Sequence, residues 1–388
     1  IKNNNYKHMK TIYFDNAATT QIREAVLVSM TEVMRNNYGN ASSSHSFGRS
    51  SKSLIEKSRK TIAASLNVSA GEIIFTSGGT EADNLVLRSA VRDLEVKHII
   101  TSKIEHHAVL HTVQQLENEY KLHVSYVNID ANGDIDYSHL ETLLQTETKT
   151  LVSLMHINNE IGNILDIKRV SELCQVNHAL FHSDTVQSVG HYKMDLQDIK
   201  VDFLAAAAHK FHGPKGVGFV FIRKNSGLKP LIFGGEQERG LRAGTESVHN
   251  IVGLETALKY ANANFEEEYN YVKNIKQYFI DTVKKQIPEA TFNGNSGDID
   301  KSTYSLVNVC LPIPPKKAAM LLFQLDLKGV ACSKGSACQS GSNQNSHVLS
   351  EILSPEDLLK PSIRFSFSIY NTEDEVDFVV EVLKEFIG

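Results

Sequence analysis

Short runs of β-branched and aromatic residues alternate with longer helical patterns between residues 72 and 206, and this alternation limits the fold more than any other feature. Residues 72–76, 98–101, 124–129, 150–155, 180–183 and 203–206 read as strands. Residues 81–94, 108–119 and 167–176 read as helices between them. A β-α-β succession returns each strand in the same direction, so a mostly parallel, helix-covered sheet is expected. Residues 218–222 and 230–233, separated by Lys224-Asn225-Ser226-Gly227, read as a hairpin. A long helical stretch over 248–283 changes composition at 262–268, and the boundary to a second domain is placed there. That domain holds residues 304–311, a helix at 316–325 and a strand at 363–369. In the strand, Ile363, Phe365 and Phe367 alternate inward, which turns Arg364 to the other face.

Bulk properties narrow the class. The 388 residues are enough for two domains, and the apolar fraction of 41% and charged fraction of 22% suit a globular protein. A net charge of −5 offers no basis for nucleic-acid or anionic-membrane binding. No apolar run is long enough to span a bilayer. The four cysteines, 174, 310, 332 and 338, are too scattered for a disulfide framework or a zinc site, so a reducing, cytoplasmic setting and no resident metal are expected. Residues 1–8 are polar and Asn-rich and read as a leader outside the fold, with Met9 as the natural start.

Three segments at strand ends carry chemistry. Ser77-Gly78-Gly79-Thr80-Glu81 follows a strand and opens a helix. Free N–H groups, two glycines and a hydroxyl make an anion cradle there, and an ordinary capped turn has the same composition. It is neither a Walker A loop nor GxGxxG, so a nucleotide is not the preferred guest. Lys210 follows a small-residue strand in Ala205-Ala206-Ala207-Ala208-His209-Lys210. Desolvation beside buried strands frees a lysine amine for Schiff-base chemistry, whereas a surface lysine does nothing of the kind. Asp184 ends an apolar strand and either pairs with a cation or caps the next helix. A phosphate cradle, a Schiff-base amine and a partner for a protonated pyridine nitrogen together meet the needs of pyridoxal phosphate (PLP). Further on, Cys338 lies in a run dominated by Gly, Ser, Asn and Gln, which buries little and leaves a thiol reachable.

The ordered set of motifs resembles the cysteine desulfurase family, in the class V aminotransferase group of fold type I PLP enzymes. It consists of Tyr13 to Thr20, Tyr38 to Ser43 with His45 and Arg49, Ser77 to Asn84, Glu105-His106, His156 to Gly162, Asp184 with Gln187, His209-Lys210, Glu238 to Thr245, Gly335 to Cys338, and Ile363-Arg364. The long segment around Cys338 resembles the branch of the family with a long cysteine loop. The resemblance implies a large PLP-binding domain over 25–262 with a mostly parallel seven-stranded sheet. It also implies a smaller α+β domain from 9–24 and 263–388. In that reading Lys210 holds PLP and moves protons at the substrate, His106 stacks on the ring, and Asp184 pairs with its nitrogen. Gln187 and Asn159 bond the phenolic oxygen, and Asn159 also reaches the substrate. Gly79, Thr80 and His209 hold the phosphate, Thr245 reaches the phosphate of a neighbouring subunit in a homodimer, and Arg364 clamps the substrate carboxylate.

The implied reaction converts L-cysteine to L-alanine and a Cys338 persulfide. The sulfur then passes to an acceptor protein, an iron–sulfur scaffold or a tRNA-thiolation relay. Cys338 is also implied as a transient iron–sulfur ligand shared with a scaffold. Selenocysteine lyase, an aminotransferase and a non-catalytic sulfur-carrier-binding scaffold are the alternatives. Two departures stand out: Ala207 replaces the family's usual serine three residues before the lysine, and Ala41 replaces a common proline. Losing the serine removes one hydrogen bond to phosphate, about 1 kcal/mol. Cys332 is an extra thiol six residues before Cys338 and is read as a packing residue.

Overall fold

The computed structural model describes residues 11–314, 318, 320–334 and 346–387. Contacts divide the chain into two compact units. Thr19–Asn158 and Ile164–Glu266 form the larger; the described parts of Ile1–Ala18, Asn159–Asn163 and Glu267–Gly388 form the smaller.

The chain enters through β1 (Ile12–Tyr13), which belongs to the smaller unit. The larger unit follows with β2 (Ile73–Thr76), β3 (His98–Thr101), β4 (His123–Tyr126), β5 (Thr150–Ser153), β6 (Leu180–Asp184), β7 (Phe203–Ala207) and β8 (Gly218–Ile222). These make a seven-stranded sheet in the order β2-β8-β7-β6-β5-β3-β4. The pairs from β4 across to β7 are parallel, and β8 runs antiparallel to both its neighbours. Strands β2, β3, β5, β7 and β8 are buried throughout, as a sheet covered on both faces requires.

Helices α1 (Glu24–Asn36), α2 (Ser46–Ser65), α3 (Gly79–Asp93), α4 (His107–Tyr120), α5 (Tyr137–Leu144), α6 (Ile167–Val176) and α7 (Val248–Ala263) accompany the sheet. Their starts are encoded locally. Asp136 accepts from the Ser138 and His139 amides, Asp166 from the Arg169 amide, and the His106 ring from the Ala108 amide. Helix α3 lies against β7, whose alanines leave room for it.

The hairpin expected at 218–233 does not form. Strand β8 has both edges taken, by β2 and by β7, so no edge remains for residues 230–233. Those residues form no strand, and the preceding chain is tied instead to the end of α3. The Lys229 amide donates to Asp93 Oδ2, and the Lys229 carbonyl accepts from Ser89 Oγ. The helical stretch from 248 breaks at Asn264 into α7 and α8 (Phe265–Gln286).

In the smaller unit, β9 (Thr291–Phe292), β10 (Leu306–Cys310) and β12 (Ser362–Ser366) form an antiparallel sheet in the order β12-β10-β9. Strand β11 (Val330–Ala331) pairs with β1 in parallel. Among the described residues, helices α9 (Leu321–Leu327), α10 (His347–Ile352) and α11 (Glu373–Ile387) accompany it. Phe14, Phe279 of α8, Phe365 and Phe367 pack as one aromatic cluster, with ring centroids 5.0 Å apart for Phe279–Phe365. Every residue of β12 is buried, so the strand hides both faces rather than one.

Candidate active site

Lys210 closes a short 3-10 turn, Ala208–Lys210, immediately after β7. Hydrogen bonds hold that turn from every side. The Ala208 amide donates to the Val217 carbonyl, and the Gly213 amide to the Ala208 carbonyl. The His209 carbonyl accepts from both the amide and the hydroxyl of Thr20, at 2.8 and 2.9 Å. The Lys210 carbonyl accepts from His191 Nε2 at 2.8 Å. His212, at φ +66°, donates its amide to Thr20 Oγ1 and turns the chain back. The backbone of Lys210 is therefore fixed, and its side chain is half-buried. His209 Nδ1 is buried with no hydrogen-bond partner among the described residues. Burial, helped by the charges of Lys210 and Lys215, pushes the His209 ring down to about 4, so the ring is neutral.

Asp184 ends β6 and accepts from the Val186 amide at 2.9 Å. Burial raises its carboxyl to about 6, against the pull of that amide and of the Lys210 charge. Two more buried carboxyls share its surroundings. Asp83 of α3 is raised well above the carboxylate range by burial, then by Asp184 and Glu105. Glu105 is raised by burial too and accepts from the Met155 amide at 2.7 Å. His182, two residues before Asp184 on β6, places Nε2 3.3 Å from Asp83 Oδ1 and Nδ1 2.9 Å from Ser153 Oγ. Burial holds the His182 ring down to about 3. Burial thus disfavours charge on Asp83, Glu105 and His182 alike.

Gly79 opens α3 with its backbone against the sheet. A Cβ there would lie 2.5 Å from Val186 Cγ2 and 3.9 Å from Ala207 Cβ. Any side chain there would run into Val186, so the helix starts on a glycine, with unsatisfied N–H groups gathered at its first turn. Thr80 is exposed in the first turn, and His106 stands at the N-cap of α4. Gln187 is half-buried just past Asp184. Thr245 is exposed after Gly244, itself at φ +109°.

Asn159 and Arg364 lie in the smaller unit, and each is seen there with its own neighbours. Arg364, 1% exposed, donates from Nη1 to the Asn159 carbonyl at 2.7 Å and from Nη2 to Asp15 Oδ1 at 2.9 Å. Its Nε is buried without a hydrogen-bond partner among the described residues. A fully buried guanidinium with a spare donor is suited to a carboxylate guest. Cys332 is half-buried, and burial together with Asp15 pushes its thiol well above the usual range. Cys174 and Cys310 are buried. Cys338 lies outside the described residues.

The motif residues Asp15, Asp83, Glu105, Glu160 and His182 carried no role in the sequence reading. Each sits inside or next to a motif singled out there, so position was legible, but burial and partner were not. Among the described residues, no cluster of His, Cys, Asp and Glu is arranged to hold a metal. No helix among them is long and apolar enough to cross a membrane.

The residues of the larger unit fit PLP. A desolvated carboxylate at a strand end favours a protonated pyridine nitrogen, and the Gly79 helix start with the unpartnered His209 Nδ1 favours a phosphate. Lys210 stands on the same short turn as His209, and its charge acts on both Asp184 and the His209 ring. Comparison with known proteins reaches the same class. Aminotransferase class-V matches residues 12–379. The cysteine desulfurase IscS of Dictyoglomus turgidum is 40% identical over 380 residues, covering 97% of this chain and 95% of that protein. A protein of Bacillus subtilis named putative cysteine desulfurase IscS 1 is 42% identical over 372 residues, covering 95% and 96%. Among solved structures, a NifS-like protein superposes with a TM-score of 0.89 at 34% identity, covering 97% of this chain and 99% of that one. SspA in complex with cysteine superposes at 0.78 with 32% identity, covering 94% and 100%. The fold and the match place the chain among the PLP-dependent class V aminotransferases. Within that class, it belongs to the cysteine desulfurase family.

Proposed function

We propose that the chain is a cysteine desulfurase that converts L-cysteine to L-alanine and stores the sulfur as a persulfide on Cys338. The observation that carries this reading is the pinned Lys210 beside the buried Asp184 in a chain that also carries Cys338. That the related SspA was solved with cysteine supports the substrate class.

PLP supplies an electron sink for the pair released at the substrate Cα. The chain's residues do the rest. Lys210 Nζ takes the Cα proton and later returns protons to substrate carbon. Asp184 keeps the pyridine nitrogen protonated, and His106 stacks on the ring and assists proton transfer. Gly79, Thr80 and His209 hold the phosphate, while Gln187 and Asn159 bond the phenolic oxygen. Arg364 takes the substrate carboxylate, and Thr245 reaches the phosphate of a second subunit in a homodimer. The Cys338 thiolate attacks the substrate sulfur. An S–S bond forms, the Cβ–S bond breaks with its electrons going to carbon, and protonation of that carbon makes alanine. Cysteine plus a thiol thus become alanine plus a persulfide, with no further redox partner. The persulfide sulfur then passes to an acceptor protein for iron–sulfur assembly or tRNA thiolation, in a reducing cytoplasmic setting.

The test is the purified holoenzyme with L-cysteine. Alanine and sulfur-loaded Cys338 should appear in equimolar amounts, the second read as one added sulfur on the Cys338 peptide by mass spectrometry. A keto acid in place of alanine, no sulfur on Cys338, or a strong preference for selenocysteine overturns the reading.

Ala207 gives a second expectation. It is 2% exposed and faces the Gly79 cradle. Ala207→Ser places a hydroxyl donor there, worth about 1–2 kcal/mol to a charged acceptor. PLP loss on dialysis should slow by about tenfold, and an unchanged rate means the hydroxyl does not reach the phosphate.

A further inference from the structure

Strand β2 stands at the edge of the seven-stranded sheet, and two side chains take up hydrogen bonds along that edge where a further strand would. Glu238 Oε2 accepts the Phe75 amide at 2.8 Å, and Arg59 Nη1 donates to the Ile73 carbonyl at 2.7 Å. The same two side chains pair with each other, Nη1 to Oε2 at 2.6 Å and Nη2 to Oε1 at 2.9 Å. Both residues are buried. Glu238, Arg239 and Gly240 take left-handed backbone, at φ +47°, +59° and +76°. Two of the three are not glycine, so the surroundings must hold the turn, and the bonds of the Glu238 carboxylate do so. The turn brings Arg242, two residues further on, against the start of α3.

There Arg242 grips Glu81. Nε donates to Oε1 at 2.8 Å and Nη2 to Oε2 at 3.2 Å, a fork on both carboxylate oxygens. Glu81 Oε2 also accepts the Ser77 amide at 2.8 Å. Gly78 is the N-cap of α3, so Glu81 is the third helical residue. A glutamate at that position ordinarily reaches back to the N-cap amide and satisfies the helix start itself. Here it is held one residue further back, on Ser77, while the first-turn amides have no partner inside the helix. Burial works against the Glu81 charge, yet the Arg242 fork and the Ser77 donors hold its carboxyl below the usual range. Glu81 is thus an anion beside the candidate phosphate seat. The seat has little to spare, since Ala207 offers the phosphate no hydroxyl and leaves more of its hydrogen bonding to these amides.

We propose that Arg242 is a positioning residue for the phosphate seat and acts through Glu81: its fork neutralises the carboxylate and keeps it off the first-turn amides that the phosphate needs. This rests on the Gly79 helix start being that seat. Without the fork, an unpaired carboxylate competes with the phosphate for the same N–H groups and repels it. The defect is therefore one that removing the Glu81 charge repairs. An ion pair that merely held the fold together would behave in the opposite way, since losing either partner would do the same damage.

The experiment uses the holoenzyme with Arg242→Gln, Glu81→Gln and the Glu81→Gln/Arg242→Gln double variant. PLP loss on dialysis should speed up by about tenfold in Arg242→Gln, the scale of one uncompensated charge beside an anion. Glu81→Gln keeps an acceptor for the Ser77 amide and should hold PLP at least as well as the parent. The double variant should return to within about threefold of the parent, because the offending charge is gone. Pyridoxal, which lacks the phosphate, should bind cofactor-stripped Arg242→Gln and the stripped parent within about twofold of each other, which separates an effect on the seat from general damage. Parental PLP retention in Arg242→Gln, faster PLP loss in Glu81→Gln, a double variant as leaky as Arg242→Gln, or an equal loss for pyridoxal overturns the proposal. Hydrogen exchange reads the seat without the reaction. Inorganic phosphate should slow exchange of the residue 79–82 amides in the stripped parent, and less so in stripped Arg242→Gln. If it slows nothing in the parent, the seat is misplaced and the proposal falls with it. Equal slowing in both leaves the seat standing and overturns the role of Arg242.

Discussion

Lys210→Ala is expected to erase the absorbance band of the lysine-bound cofactor and to lower alanine formation from cysteine by about 10⁴-fold or more, the combined scale of a lost covalent anchor and a lost proton carrier. The fold should survive. The bonds that hold the turn use the backbone of residues 208–213 and the side chains of Thr20 and His191, none of which the substitution removes. The electrostatic consequence has a definite sign. The Lys210 charge lowers Asp184, so its removal lets burial raise that carboxyl further and weakens its hold on a protonated ring. Cofactor loss on dialysis should therefore be faster in Lys210→Ala than in the parent. A persisting lysine-bound band or parental alanine formation would remove Lys210 from its role.

Cys338→Ala is expected to keep the cofactor spectrum and cysteine binding while lowering alanine formation by about 10³-fold, as loss of a nucleophile does when the rest of the site is intact. Cys332 cannot take over. Burial and the Asp15 charge hold its thiol far from the thiolate that attack requires. Mass spectrometry of the parent should thus place the added sulfur on Cys338 and none on Cys332. Alanine release by Cys338→Ala at the parental rate under dithiothreitol would sink the assignment.

Asp184 and Lys210 were legible because one ends a strand and the other closes the turn just past the next one, where periodicity and turn residues are local signals. The strands and helices of the larger unit follow the same logic, and caps such as Asp136 and Asp166 are written into the sequence where the helices begin. The hairpin expected at 218–233 failed for a non-local reason. A run of apolar residues does not declare whether its free edges are already occupied, and β8 is flanked by strands from residues 73–76 and 203–207. Likewise, Glu160 and Asp83 were quoted as parts of motifs without a role, since their partners lie far away in sequence.

Residue order alone specified the alternating elements, the helix starts and the strand ends at which Lys210, Asp184 and Gly79 stand, because these depend on neighbours within a few positions. Only the folded chain decided which of them are desolvated. Asp184 titrates high because the folded chain buries it, and its charge in turn raises the buried Asp83 and Glu105. Arg364 is buried with Nη1 on the Asn159 carbonyl and Nη2 on Asp15, and its Nε is left without a hydrogen-bond partner among the described residues. Desolvation and long-range hydrogen bonds are properties of what surrounds a group, and segments hundreds of residues apart in the chain supply those surroundings here.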